Sequence, residues 1–583
     1  MRIFAQCWRG TVRLMVFAMI IAALPSSASA KKKVSRDIDT TANDTINVIV
    51  QFRHTPGQPH KDKIKSHGGL VNSDLGLVKG VTATMPSSAV AELAKDNEVA
   101  YISPDRPLRS KLNNAVAATM ADYAATLGFD GSRIGVALID SGVHLVDDLK
   151  DSSGKSRVVN AADTLGGGTD DKYGHGTHIA GIIGGNGKYS TCSNCSVQIK
   201  GFAPGVKIIN FHALDQNGSG TDSSVINAIA KAIALKDTYN IRVMNLSLGR
   251  PVYESYKDDP LCQAVEAAWQ AGIVVVVAAG NDGRDDSKGT DGYGTINAPG
   301  NDPYVITVGA MNTRRTPGRF DDVPASYSSK GPTLIDHIAK PDLVAPGNRI
   351  VSLQTGGTLR NKFPGNRAPI NYYQKTTSTN TSDRYYILSG TSMATGVVSG
   401  AAALLIQANP ALTPDQVKAR LMLTAYKNLP LYSTVIDGGV TYHMQSDIFT
   451  VGAGYLDIQA ALNDAATIPA APAISPTAVY DSTTGQIHLV SYQSAMWGSS
   501  AMWGSSAVWG SNAFVDSNSA MWGSSAMWGT SAMWGSSAMW GSSAMWGSST
   551  TSGFSALWGS GALWGSGSTQ TDSLSTEVNG DEN

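Results

Sequence analysis

The chain has 583 residues, more than one hydrophobic core normally serves, so several domains are expected. Apolar residues make up 42% of it, enough for a sizeable core, and the formal net charge is −1. No long basic run lies in the body of the chain, which excludes a nucleic-acid binder that depends on a clustered positive surface.

The first element is an export signal. Arg2, Arg9 and Arg13 precede the apolar stretch 14–24, and Ala28 and Ala30 form an A-x-A cleavage pattern, so 1–30 is read as a signal peptide. The apolar run is shorter than the about 20 residues that span a bilayer as a helix. No later segment is expected to be long enough and apolar enough to span a membrane, and the protein is expected to be secreted, at the cell surface or beyond it.

Residues 45–110 form a small zone. It holds extended runs at 46–52 (INVIVQF), 80–86 (GVTATMP) and 99–103 (VAYIS), with a helical stretch at 87–96. It is too small to be the main core.

The zone 111–465 alternates apolar, β-branched runs with helical patterns. The strand candidates are RIGVALID, VKIINFHAL, RVMNLSLG, GIVVVVAAGN, YVITVGAM and RIVSL. A helix is expected at 222–236, where Val225, Ile226, Ile229 and Ile233 follow helical spacing. Near-continuous apolar strands alternating with helices indicate an α/β domain, a parallel β-sheet with helices on both faces. In such sheets the chemistry sits at the carboxyl ends of the strands.

The Pro- and Ala-rich stretch at 466–493 reads as a linker. From Ser494 to 568 the unit S-A-M-W-G-S recurs, and its period of six keeps every Trp on one face of an extended chain. Two readings stay open: a low-complexity tail, or a stacked β module whose aromatic surface contacts the cell envelope, polymers or other copies. The closing stretch 569–583 is an acidic tail. Cys192 and Cys195 have a spacing that suits a small loop disulfide, and Cys262 reads as a buried helix residue.

Three stretches of the second zone carry chemistry. VALIDSGVH ends an apolar strand on Asp140, DKYGHGTHIAGIIGG puts His175 between two glycines at a helix start, and SGTSMATG puts Ser392 at another. Ser392 alone would read equally well as a helix cap. With the other two motifs, in the order Asp140, His175, Ser392, the zone resembles the subtilisin-like serine proteases.

That resemblance implies a serine endopeptidase acting through an acyl-enzyme intermediate. Ser392 would be the nucleophile, His175 the general base and Asp140 the group that orients it. It further implies that Asn281, at the end of VVVVAAGN, donates to the oxyanion. Gly218, Ser219 and Gly220 on one side, and Ser247, Leu248 and Gly249 on the other, would clamp an extended peptide. Ala278, Ala279 and Gly280 would wall the pocket for the residue before the cut, with a broad, mainly apolar preference.

The small α+β zone 45–110 resembles the family's inhibitory propeptide, to be removed by a cut between 107 and 118, so the partners expected are protein and peptide substrates and the chain's own propeptide. No cofactor is required for the chemistry. Family members often bind structural calcium, but no ligand set matches here residue by residue.

His178 gives an H-x-x-H spacing without the Glu that zincin chemistry needs, so it is not read as a metal ligand. Where the family usually has Pro, this chain has Gly396. Proline there is expected to stiffen a first turn at no cost in hydrogen bonds. The sedolisin branch uses Glu at the position of His175, and the G-x-S-x-G elbow of other serine hydrolases is missing. A reading outside enzymology makes the repeat an adhesive or assembly module, with the protease zone serving its processing.

Overall fold

The computed structural model describes residues 44–104, 114–287, 289–465, 472–481, 486–490 and 578–581, with single positions at 33–35, 38, 40, 41 and 468. The chain divides into two units, 1–108 and 109–583. The signal stretch, the Trp repeat and most of the acidic tail lie outside the described residues.

The first unit is a four-stranded antiparallel sheet with two helices. Its elements are β1 (Thr45–Phe52), α1 (Gln58–Ser66), β2 (Leu70–Leu75), β3 (Gly80–Pro86), α2 (Ser87–Leu93) and β4 (Val99–Pro104). The strands lie in the order β2-β3-β1-β4. Alternating burial along β1 sets Val48, Val50 and Phe52 into a core shared with Ile64, Val90 and Leu93. Three of the strands follow the extended runs of the sequence. α1 and β2 do not stand out in it, because α1 buries only Ile64 and β2 is almost wholly exposed.

The second unit is built on a mainly parallel sheet. Its strands are β5 (Gly135–Asp140), β6 (Val158–Asp163), β7 (Lys207–His212), β8 (Ile241–Leu246), β9 (Val274–Ala278), β10 (Ile306–Asn312), β11 (Val323–Pro324) and β12 (Leu343–Pro346). They run β11-β10-β9-β8-β5-β7-β6, with β12 also beside β10. All pairs except β10/β11 are parallel. Every residue of β5, β9 and β10 is buried, so both faces of the sheet centre are covered.

From β5 the chain first builds β6 and β7 on one side and then β8, β9 and β10 on the other. β5 is therefore the switch point of the sheet, where a crevice opens at the strands' carboxyl ends.

One helix pair packs α3 (His175–Gly184) against α6 (Thr391–Ala408), and a second packs α4 (Asp222–Ala234) against α5 (Pro260–Gln270). α6 contradicts one expectation: its 18 residues are apolar enough to cross a membrane. It is instead the central helix of the core, lying on β8, β9 and β10.

The RIVSL run forms β13 (Ile350–Leu353), which leaves the parallel sheet and pairs antiparallel with β15 (Thr381–Leu388), next to β14 (Arg367–Pro369).

The stretch expected to be a linker is packed in part. Ser475 donates its hydroxyl to Asp342 at 2.6 Å and accepts from Lys418 at 2.9 Å, in a fully buried group that includes Lys340. The main chain of Ser475 bonds to Pro303, and 477–481 pairs with 486–490 as a hairpin. Pro and Ala mark an extended chain, and an extended chain can be laid on a surface as readily as it can span a gap.

Candidate active site

Asp140 ends β5 and is fully buried. Its two carboxylate oxygens lie 2.8 and 3.0 Å from Nδ1 of His175, the first residue of α3. Oδ1 also accepts from the backbone N–H of Ser141 at 2.7 Å. Gly176 allows this approach: a Cβ there would lie 2.1 Å from the carbonyl of Gly142 and 3.2 Å from Cβ of Asp140. The glycine after His175 therefore brings the helix start against the strand end.

Asp171 holds that helix start, and the sequence reading missed it. Its Oδ1 accepts from Ser141 Oγ at 2.9 Å and from the N–H groups of Tyr173 and Gly174, and its Oδ2 accepts from Thr177 N–H at 2.8 Å. A carboxylate among the free N–H groups of a helix N-terminus is well placed electrostatically. Burial nevertheless pushes this carboxyl above its ordinary range, against the hydrogen bonds from Gly174 and Thr177.

Ser392 is the second residue of α6. Thr391 and Met393 on either side are buried, whereas Ser392 is partly exposed. Its hydroxyl does not cap the helix. It donates to the carbonyl of Ser247 at 3.2 Å, and Ser247 Oγ donates back to the carbonyl of Ser392 at 2.9 Å. Behind them Asn245 joins the set, its amide N–H donating to Ser247 Oγ and its Oδ1 accepting from Ser399, each at 2.9 Å. The end of β8 thus fixes the first turns of α6.

Asn281 follows β9. Its Oδ1 accepts from the backbone N–H of Thr391 at 3.0 Å, with the Thr391 hydroxyl 3.2 Å away. Engaging the oxygen this way orients the amide and leaves its N–H groups as the donors on the open side.

His175, Asn281 and Ser392 line one cleft of about 690 Å³. Gly218, Ser219 and Gly220 line it too, as do Ser247, Leu248, Gly249, Ala278 and Gly280. Ala279 does not: it is fully buried, with its N–H on Val308 and its carbonyl on Asn297. Alternation along an extended chain turns it away from the space its neighbours face.

Arg250 also lines the cleft and was not singled out in the sequence. Its guanidinium bonds Asp222, the first residue of α4, and Asp259, the N-cap of α5, each at 2.9 Å. Paired with two carboxylates, its charge is already compensated.

His178 is a core residue. Its Nε2 lies 3.2 Å from the carbonyl of Ile350 and 3.1 Å from that of Tyr386, and burial, helped by His175, holds its pKa down to about 3. Gly396 is the sixth residue of α6, beyond the first turn, and a Cβ there would lie 3.2 Å from Ile182. The expectation that proline costs nothing at this position therefore fails on its place in the helix.

Cys192 and Cys195 are joined by a disulfide, and Cys262 is buried with its thiol pushed up by desolvation.

Among the described residues, no group of three or more His, Cys, Asp or Glu is placed to hold a metal ion. Of the buried acids, Asp148 bonds protein donors, accepting from Tyr189 N–H and the Tyr385 hydroxyl.

Comparison with known proteins places the chain in a family. The Subtilase family (Peptidase_S8) matches residues 131–454. The chain is 36% identical to serine protease AprX of Bacillus subtilis (strain 168) over 371 residues, 62% of this chain and 76% of that protein. It is 31% identical to subtilisin E of the same organism over 415 residues, 70% of this chain and 91% of the relative. Among solved structures, a cold adapted subtilisin-like serine proteinase is 30% identical, covers 52% of this chain and 85% of its own, and has a TM-score of 0.36. With the family matched over more than half of its length, the chain belongs to the subtilase family and is a subtilisin-like serine protease.

Proposed function

We propose that the protein is an exported endopeptidase that cleaves peptide bonds through Asp140, His175 and Ser392 and is matured from a precursor. The observation that carries this reading is the contact of Asp140 with Nδ1 of His175, on a ring that shares its cleft with Ser392 and Asn281.

With Nδ1–H donated to the carboxylate, Nε2 carries no proton and can act as the base. The Ser392 hydroxyl adds to the scissile carbonyl and passes its proton to Nε2. The tetrahedral intermediate then collapses, the C–N bond breaks, and His175 returns the proton to the leaving amine. Water repeats the sequence on the acyl-enzyme and frees the acid.

The oxygen that gains charge in both halves faces the Asn281 amide N–H groups and the backbone N–H of Ser392 at the start of α6. The peptide lies extended between 217–221 and 247–250. Small residues and the compensated Arg250 leave a pocket without free charge, which favours apolar side chains before the cut.

Export rests on the signal pattern of residues 1–30, and relatives bear names such as extracellular serine proteinase. The compact α+β unit that precedes the protease zone suits a propeptide. The matched family favours the enzyme over an adhesive protein.

Phosphonofluoridate labelling followed by peptide mapping tests the assignment: the label should sit on Ser392. Ser392→Ala should abolish both casein hydrolysis and self-processing. Label elsewhere, or full casein hydrolysis by the variant, overturns it. N-terminal sequencing of active enzyme should give a start between 107 and 118, and a start near Lys31 would remove the propeptide reading.

A further inference from the structure

The acidic end of the chain has no part in the mechanism, yet four of its residues, Val578, Asn579, Gly580 and Asp581, are seated on the protease unit. Among the described residues, the last strand before them ends at Val490. Asp581 is fully buried. Its Oδ1 accepts from Arg284 at 2.8 Å and from Ser326 Oγ at 2.5 Å, and its Oδ2 accepts from the Ser326 backbone N–H at 3.0 Å.

Its main chain is clamped as well. The Asp581 N–H donates to Asn348 Oδ1 at 2.8 Å, and Asn348 Nδ2 donates to the Asp581 carbonyl at 3.2 Å. The carbonyl of Asn579 accepts from Arg349 at 3.2 Å, and that of Val578 accepts from Asn366.

Gly580 has φ +64, and a Cβ on it would lie 2.1 Å from Ser389 Oγ and 2.3 Å from Asn348 Oδ1. Only glycine fits there.

The receiving surface is itself organised. Arg284 Nε donates to Ser326 Oγ at 2.8 Å, and its Nη1 pairs with Asp437 at 2.8 Å. Ser389 Oγ accepts from the N–H of Arg349 at 3.0 Å. Such a site reads a backbone, a glycine and a carboxylate together, which is the recognition of a peptide rather than of a free ion.

We infer that Arg284, Ser326, Asn348 and Ser389 form a binding site for a short acidic peptide whose ligand is the chain's own Val-Asn-Gly-Asp at 578–581. None of the four lines the cleft, so the site is separate from that of the substrate. It does adjoin the active-site framework: Ser389 lies three residues before Ser392, Arg284 three residues after Asn281, and Gly390 N–H bonds the carbonyl of Gly347 beside Asn348. With the hairpin of 477–481 and 486–490, bonded through Ala478 to His337, at one end and 578–581 at the other, the chain is attached to the same unit on both sides of the Trp repeat. A cut inside 491–577 would then leave the final residues bound without a covalent link.

Hydrogen exchange at the Ser326 amide tests this, since its acceptor is Asp581 Oδ2. The full chain carrying Ser392→Ala, to prevent self-digestion, is compared with the same chain carrying Asp581→Ala or Gly580→Ala. Both changes lie in the tail and leave the protease unit's sequence intact. Exchange at Ser326 should rise by about tenfold or more in each, the scale of losing one charge-assisted hydrogen bond. Exchange at the neighbouring Ala325 amide, held by the carbonyl of Ala310, serves as the internal reference and should stay constant. Unchanged exchange at Ser326 in both variants overturns the site. A rise with Asp581→Ala alone overturns the glycine requirement and with it the reading as peptide recognition.

Discussion

Ser247 and Ser392 bind each other twice, each hydroxyl donating to the other's carbonyl. This ties the end of β8 to the first turns of α6 across the floor of the cleft. Ser247→Ala removes one of the two bonds and leaves Asn245 Nδ2 without its acceptor. A net hydrogen bond of about 1–1.5 kcal/mol predicts a roughly tenfold loss in kcat/KM, carried mainly by kcat because the proposed nucleophile loosens while the pocket keeps its walls. Steady-state kinetics on one peptide substrate check it, and an unchanged kcat would show that β8 does not position Ser392.

The sheet was legible because its central strands are buried on both faces and so read as unbroken Val, Ile and Ala runs; VVVVA is the plainest. β6 and β12 were missed for the same reason in reverse, since VVNAAD is half exposed and LVAP is four residues long. The three residues proposed for the chemistry could be singled out in the sequence because each stands in a local motif. Asp171 and Arg250 were not: their roles depend on which distant N–H groups and carboxylates the fold brings to them. Nor does composition show that Ser475 and Asp581 are buried, because their partners lie far from them in the chain.

Asp171 gives a second prediction. Asparagine offers one acceptor oxygen where the carboxylate meets four donors, and its amide N–H groups would face the N–H groups of α3. Asp171→Asn should cost about 2–4 kcal/mol of stability, as expected when a buried, hydrogen-bonded carboxylate is lost. Activity should fall with it, since His175 stands on the same helix start. Urea denaturation in the Ser392→Ala background measures the first effect and kinetics of the otherwise native chain the second.

His178 makes stability depend on pH. Its folded pKa of about 3 lies below the ordinary value near 6.5, so the unfolded chain takes up a proton that the folded chain refuses. The contribution is complete above about pH 6.5, is lost as pH falls, and levels off near pH 3. Between pH 6.5 and 5 the loss is about 2 kcal/mol. Asp148 and Asp447, both pushed up to about 6 by burial, titrate in the same range and must be subtracted. His178→Gln keeps an N–H for the carbonyls of Ile350 and Tyr386 and does not titrate. The difference in stability between the two chains across pH 4–7 isolates the histidine, and a flat difference would mean that its neutral burial is wrong.

The disulfide between Cys192 and Cys195 closes a loop of only four residues. Loop-closure entropy gives about 2 kcal/mol for so short a ring. Mild reduction, or Cys192→Ser, should therefore lower the melting temperature modestly while leaving kcat/KM within about twofold, because neither cysteine lines the cleft. A collapse of activity would show that this loop supports the site from a distance.

Asn281 has two jobs that a pair of substitutions separates. Its Oδ1 holds Thr391, and in the proposed mechanism its N–H groups serve the oxyanion in the cleft that Asn281 lines. Asn281→Asp keeps an acceptor for Thr391 and removes the donor; Asn281→Leu removes both. Both should lower kcat by about 10²–10³ with little change in KM, the range already measured for losing this donor in the family itself. Only the Leu variant leaves the N–H of Thr391 unpaired, so it alone should lose a further 1–2 kcal/mol or so of stability. If the two variants melt together, the hold on Thr391 contributes nothing. If kcat survives in both, the charge of the transition state is stabilised elsewhere, and the backbone N–H of Ser392 would have to carry it alone.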